Sequence, residues 1–175
     1  MTERLEPLIS AQRIRRRVAD LARDIAADHR GAPLTLLVAL KGASVFAADL
    51  MRRIDLPLTV DFIRASSYRD AMRSAGTVEI DGAPRLDIAG RHVILVEDIV
   101  DSGLTVAALS GWLRRLQPAS LDVCALLRKH VPGVAPVVLR YKGFDIPNEF
   151  VVGYGMDYAE RYRNLPGICR LLVER

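Results

Sequence analysis

Residues His92–Leu109 read HVILVEDIVDSGLTVAAL and change character twice. The first part, through Val96, is a continuous apolar run, the mark of a strand buried on both faces. The last part, from Thr105, reads as a helix. Between them, Asp101–Thr105 has the composition of a turn whose backbone N–H groups can approach a phosphate at a helix N-terminus. Three carboxylates, Glu97, Asp98 and Asp101, crowd the same place. A bare phosphate would be repelled there, whereas a phosphorylated sugar would not. Gly103 permits close approach, and the N–H groups of Ser102, Gly103, Leu104 and Thr105, with two hydroxyls, suit a terminal phosphate. Glu97 and Asp98, adjacent on a strand, point to opposite sides. They can take hydrogen bonds from ribose hydroxyls directly or through magnesium, which prefers oxygen ligands and retained waters.

Outward from this stretch, strands and helices alternate. Ser10 can cap a helix running to about His29, before GAP stops it. LTLLVAL (Leu34–Leu40) is a strand-length apolar run, SVFAADLMRRI has helical periodicity, and LTVDFIRA (Leu58–Ala65) is a second strand. SSYRDAMRSAGT (Ser66–Thr77) is polar and without period, a long loop of the kind that serves as a lid. TVEI resumes strand character, and DGAPRLDIAG is turn-rich. After the opening stretch come SLDVCALLRK as a strand, then VVLRYKGFDI and FVVGYG. DYAERYR reads as a short helical piece and ICRLLV as a final strand. This order predicts an α/β fold with a mostly parallel twisted sheet flanked by helices. Ligands of such sheets sit beyond the carboxyl ends of the strands, and Lys41, Gly42, Glu97, Asp98 and Lys129 all fall at such ends. Neither G-x-G-x-x-G nor G-x-x-x-x-G-K-[ST] is present, which excludes the common dinucleotide and P-loop sites.

Composition narrows the classes further. The chain has 175 residues, 50% hydrophobic and 26% charged, with a net charge of +4. Residues 1–175 are therefore read as a single domain, able to bury roughly 70% of the surface exposed when unfolded. The charge is too mild to call for nucleic acid. The densest basic run, Arg13–Arg17, lies on a helical pattern that puts Ile14, Val18, Leu21 and Ile25 on one face, so it reads as a solvated helix face rather than a polyanion patch. MTERLEPLIS has no apolar core of a secretory signal. The longest apolar run, about seven residues, falls short of the ~20 that span a bilayer. Cys124 and Cys169 sit in apolar strand-like runs and read as reduced thiols, which suits a cytoplasmic protein. His29, His92 and His130 have no zinc-ligand spacing.

VILVEDIVDSGLT resembles the phosphoribosyl-diphosphate signature of the type I phosphoribosyltransferases, and more closely that of the hypoxanthine–guanine phosphoribosyltransferase family. LKG (Leu40–Gly42) looks like that family's pyrophosphate loop, and SSY (Ser66–Tyr68) is similar to the start of its mobile catalytic loop. LLRK ends on Lys129, matching the lysine that reads a purine's 6-oxo group. EFVVGYGMDYAERYRNLP (Glu149–Pro166) resembles its purine and pyrophosphate–metal segment. The matches run in the family's order from about residue 34 to 166.

The resemblance implies a small hood built from the chain termini and a reaction. In that reaction a 6-oxopurine and phosphoribosyl diphosphate give a nucleoside monophosphate and pyrophosphate. It implies Asp101 as general base and a contributor to the 5′-phosphate turn, with Glu97 and Asp98 at the ribose and its metal. Lys41, Gly42 and Arg163 are implied at the pyrophosphate, and Lys129, Phe150 and Val151 at the purine. Ser67 and Tyr68 are implied on the lid, and Glu97, Asp98 and Asp157 at magnesium. It implies no nucleic-acid or membrane partner, and a homodimer or homotetramer. Leu104 is apolar where polar residues are common in the family, and Arg69-Asp70 replaces the expected small residues after the tyrosine. Two other readings share the fold: a nucleotide-sensing RNA-binding regulator, and an enzyme serving another purine such as xanthine or adenine.

Overall fold

The computed structural model of the chain describes residues 2–67, 78–81, 84–131 and 137–174. In chain order the elements are β1 (Thr2–Ile9), α1 (Ala11–Asp28), β2 (Leu34–Leu40), α2 (Ala43–Met51), β3 (Leu58–Ser67) and β4 (Val78–Asp81). These are followed by β5 (His92–Val100), α3 (Leu104–Arg114), β6 (Ser120–His130), β7 (Tyr141–Pro147), β8 (Val151–Val152) and β9 (Ile168–Glu174). A six-stranded sheet runs β4-β3-β2-β5-β6-β7. Every pairing in it is parallel except β4 on β3 at one edge.

The apolar runs are continuous because the sheet is covered on both faces. On β2, Leu36 and Val38 face the layer made by α1 and α2, with Ile14, Leu21 and Phe46. Leu37 and Ala39 face the opposite side, against Leu109 and Leu113 of α3. Successive strand residues alternate faces, so each run feeds both layers. Ser10 caps α1 by accepting the Arg13 N–H at 3.3 Å. The apolar stripe of α1, including Ile14, Val18, Leu21 and Ile25, is fully buried. Two of the arginines on this helix are used internally. The Arg17 guanidinium donates to the Lys142 and Gly143 carbonyls of edge strand β7, and Arg13 lies over the Phe144 ring at 5.6 Å. Arg15 and Arg16 remain exposed on the outer face of the helix, as the amphipathic pattern predicts.

The hood is a second sheet, β1-β9-β8, built from the two chain ends. Sequence reading assigns no strand at Thr2–Ile9, because polar residues alternate there and Pro7 interrupts it; the register shifts between Pro7 and Ile9. The expected helix at DYAERYR is absent. Tyr158 and Arg161 instead face each other in an antiparallel bridge, closed by Ala159 (φ 50°) and Glu160 (φ 62°) in left-handed backbone. The Asp157 carboxylate accepts the Glu160 N–H at 2.9 Å, a local bond that competes with helix formation. Glu3 of β1 accepts from both Arg161 and Tyr162, tying the turn to the hood. Helical spacing was present, but tertiary partners decided the conformation. Both cysteines are free, and Cys124 is buried. Among the described residues no helix is long and apolar enough to cross a membrane.

At the other end of the sheet a polar cluster closes the bottom. Tyr141 donates to Asp28 at 2.8 Å and lies 3.2 Å from the His29 ring nitrogen Nε2. Arg140 bridges Asp28 and Asp122, and the His92 ring packs edge-on against His29. Burial lowers the His29 pKa below 6.5, with His92 and Arg140 adding to it and Asp122 and Asp28 opposing. A histidine kept neutral in the folded state contributes stability above its unfolded pKa of about 6.5 that is lost as pH falls below it. His29→Gln should therefore show a shallower loss of thermal midpoint between about pH 7 and pH 5. Parallel curves for the two proteins would assign the acid sensitivity elsewhere.

Candidate active site

Strands β2 and β5 lie side by side and end together, and their ends place the first functional groups. After Leu40 the chain makes a cis peptide to Lys41 and turns at Gly42 into α2. A Cβ on Gly42 would fall 1.7 Å from an Asp98 carboxylate oxygen, so a side chain here would displace that carboxylate. A third segment closes on the same point. Gly155 has φ +101°, and a Cβ there would lie 2.2 Å from the Gly42 carbonyl oxygen. Tyr154 before it donates to Asp49 of α2 at 2.6 Å, and Gly155 receives an Arg163 guanidinium bond on its carbonyl at 2.8 Å. The result is a cleft of about 430 Å³ at the carboxyl ends of the strands, where parallel sheets hold ligands. Lys41, Gly42, Asp98, Thr105, Asp157 and Arg163 line it.

The acidic pair behaves differently at its two members. Glu97 is 6% exposed, and its Oε1 has no hydrogen-bond partner. Burial, then the neighbouring Asp98, raises its pKa to about 8, so in this state the carboxyl holds its proton at neutral pH. An unpartnered buried carboxyl oxygen is costly unless a ligand completes it. Asp98 is also raised by burial. The Ile99 N–H, donating at 2.9 Å, and the Arg163 charge work against that shift, while Asp157 reinforces it.

The cleft's cations are already paired. One carboxylate, that of Glu160, accepts from Lys41 at 3.1 Å and from Arg163 at 3.2 Å; Arg163 also meets Asp157 at 2.8 Å. On the other wall the Lys129 ammonium donates to Asp101 at 3.1 Å, with the lysine side chain 12% exposed. Beside Asp101 the chain turns through Gly103 (φ +78°), where a Cβ would also strike Val137 at 2.1 Å. Helix α3 starts there with no acidic residue in its first turn, leaving its N-terminal amides and dipole for an anion. Thr105 faces the cleft, whereas Leu104 is half exposed and offers no polar contact. Phe150 is 51% exposed and meets Tyr158 edge-to-face at 5.7 Å. Val151, buried in β8, pairs with Arg170 of β9, whose guanidinium forks onto Glu149 at 2.6 and 2.7 Å.

The expected residues thus fall into three groups: Lys41 with Gly42, Asp157 and Arg163; Asp101 with Lys129 and the Ser102–Thr105 turn; and Phe150 with Val151 on the hood side. Glu97 and Asp98 lie at the floor. Among the described residues no three His, Cys, Asp or Glu side chains converge as a metal cage, so Glu97, Asp98 and Asp157 do not form one three-ligand centre. Ser67 ends β3; Tyr68 and the rest of the expected lid lie outside the described residues. Sequence reasoning missed Glu160, because the helical reading of DYAERYR gave no reason to turn it toward Lys41. A carboxylate between a tyrosine pair and two arginines was the available signal.

Comparison with known proteins agrees with this geometry. A phosphoribosyl transferase domain model matches residues 7–159. The hypoxanthine-guanine phosphoribosyltransferase of Mycobacterium avium is 48% identical over 170 residues, 94% of this chain and 84% of that protein. The hypoxanthine phosphoribosyltransferase of Salmonella typhimurium is 39% identical over 175 residues, 99% and 98% of the two chains. The crystal structure of a Bacillus anthracis hypoxanthine-guanine phosphoribosyltransferase superposes with a TM-score of 0.90 at 40% identity, covering 98% of this chain and 100% of that one.

The close approach of Gly155 to Gly42 gives a direct test of the cleft's construction. Gly155→Ala meets both positive φ and a backbone oxygen, and should cost about 1–3 kcal/mol of folding stability by urea denaturation. An unchanged midpoint would show that the two loops can separate freely.

Proposed function

This chain belongs to the hypoxanthine–guanine phosphoribosyltransferase family, and we propose that it performs that family's purine-salvage reaction. It moves the 5-phosphoribosyl group of phosphoribosyl diphosphate onto N9 of hypoxanthine or guanine. The bond from N9 to C1′ of the ribose forms, the C1′–oxygen bond to diphosphate breaks, and the purine's N7 proton is given up. The observation that carries this reading is the pairing of a largely buried Lys129 with Asp101 at 3.1 Å, beside the turn that opens α3. An ammonium donates only and a carboxylate accepts only. Together they match a base with an oxo oxygen at position 6 and a proton at N7.

Each remaining group has a task that its surroundings support. Asp101 takes the N7 proton as general base. Lys129 donates to the 6-oxo oxygen, Val151 offers backbone groups to the purine edge, and Phe150, half exposed, stacks on the ring, worth roughly 1–3 kcal/mol. The amides of the Ser102–Thr105 turn and the Thr105 hydroxyl hold the 5′-phosphate. Glu97 and Asp98 accept the ribose hydroxyls, which would satisfy the orphaned Glu97 oxygen. Lys41, the Gly42 amide and Arg163 bind the departing pyrophosphate. The family resemblance gives the Ser66–Thr77 segment, whose Ser66 and Ser67 continue β3 beyond the expected strand end at Ala65, the task of excluding water from a cationic sugar centre that would otherwise hydrolyse.

Magnesium fits this donor set. The carboxylates lining the cleft, Glu97, Asp98 and Asp157, supply oxygen alone, the donor that magnesium prefers alongside water and substrate oxygens. Asp98 and Asp157 would hold it, and its charge would neutralise the diphosphate as it leaves. The family also favours a homodimer or homotetramer in the cytoplasm, which sedimentation and fractionation would test.

Mixing the protein with magnesium, phosphoribosyl diphosphate and hypoxanthine should release pyrophosphate, and chelation should abolish the release. Full turnover after exhaustive chelation would remove the metal from the scheme. Asp101→Ala should lower kcat by about 10²–10⁴ while sugar-diphosphate binding persists; a variant within twofold of wild type excludes it as the base.

Lys129 sets the choice of purine. Opposing a 6-amino group with a donor loses the hydrogen bond that a 6-oxo oxygen accepts, even with the ammonium still paired to Asp101, and should separate hypoxanthine from adenine by roughly 10²-fold or more in kcat/KM. Lys129→Ala should lose most activity on hypoxanthine and guanine and gain little on adenine. Equal use of adenine by the wild type would disprove the assignment.

A further inference from the structure

Glu160 joins two cations that come from distant parts of the chain. Its Oε1 accepts from Lys41 at the end of β2 and its Oε2 from Arg163, at 3.1 and 3.2 Å. Two oxygens sharing one negative charge and bridging two cations reproduce what a diphosphate oxygen pair would offer the same groups. The backbone fixes where this carboxylate starts: Glu160 sits in left-handed conformation, and its N–H is held by Asp157. The side chain is not fixed by packing, being 66% exposed. It lies at the cleft rim with nothing to prevent it swinging into water.

We infer that Glu160 is a stand-in anion: it occupies Lys41 and Arg163 while the cleft is empty, and the diphosphate of substrate or product must displace it. The role rests on the phosphoribosyl-transfer reading above, because that reading makes Lys41 and Arg163 the pyrophosphate ligands. Two functions follow for a positioning residue of this kind. Lys41 and Arg163 are kept at the cleft mouth and not released to solvent. Pyrophosphate leaves more easily, since a tethered carboxylate is ready to take its place. The cost is weaker binding of every diphosphate, substrate included. Exposed ion pairs are each worth up to about fivefold in an equilibrium, so the competition is modest and reversible, as turnover requires.

A carboxylate that merely oriented Lys41 and Arg163 for the diphosphate would give the opposite sign, which makes the two roles separable. Glu160→Gln keeps the side chain's size and removes its charge. It should bind magnesium pyrophosphate, and pyrophosphate without magnesium, about three- to tenfold more tightly by calorimetry. The KM for phosphoribosyl diphosphate should fall in step, while the KM for hypoxanthine stays unchanged. Glu160→Asp retains the charge and should return pyrophosphate affinity toward the wild-type value. Affinity unchanged within 1.5-fold, or weakened, in Glu160→Gln overturns the stand-in role while leaving the transferase reading intact. If wild-type protein neither binds pyrophosphate nor releases it from phosphoribosyl diphosphate with hypoxanthine, the transferase reading fails first, and the role of Glu160 with it.

Discussion

Just beyond β2, Gly42 lies against the side chain of Asp98 on the neighbouring strand β5. Gly42 lies so close to the Asp98 carboxylate that a single methyl would overlap it, and the arrangement of the site descends from that contact. It is set by the parallel register of the two strands, Leu34 opposite His92 through Val38 opposite Val96. The apolar residues sandwiched between α1 and α2 on one side and α3 on the other hold that register. A slip of one residue would exchange the two faces of each strand. Packing in the core therefore places the Lys41–Gly42 loop beside the acidic residues of β5.

That dependence explains what could be read from the sequence. The strands of the sheet announce themselves because both their faces are buried, and the turn after β5 because its glycine, hydroxyls and carboxylates have few uses in common. Gly103 adopts the left-handed backbone that favours glycine, and the structure brings Asp101 and Lys129 into contact across 28 positions of sequence. The hood was legible only through resemblance. β1 is a polar-patterned strand with a proline near its end, and its partner β9 lies at the far end of the chain, so nothing local specifies it. The Tyr158–Arg161 turn was misread because its residue spacing fits a helix, while Glu3, more than 150 positions away, supplies the bonds that hold it otherwise. Non-local pairing of this kind leaves no periodic trace.

The pairing of charges was equally hidden. The resemblance assigns Lys41 and Arg163 to a pyrophosphate and Lys129 to a purine oxygen, yet each is bonded to a carboxylate of the chain itself. For the largely buried Lys129 an absent partner would be costly; on the proposed function a substrate would exchange with these carboxylates. The balance of affinity is then a difference between two sets of ion pairs, and small changes in either can move it.

Charge counting in the cleft turns the opening puzzle into a mechanistic demand. Among the described residues, five carboxyl groups, those of Glu97, Asp98, Asp101, Asp157 and Glu160, share the region with three cations, Lys41, Lys129 and Arg163. Burial offsets part of the excess by keeping a proton on Glu97, but the region stays short of positive charge. On the proposed transfer reaction, a highly anionic sugar diphosphate would meet more carboxyl groups than cations here. A divalent ion of the hard, oxygen-preferring kind, arriving with the diphosphate, would supply the missing positive charge, in keeping with the magnesium proposed above. The acidic lining would then favour the metal-loaded substrate over the bare one.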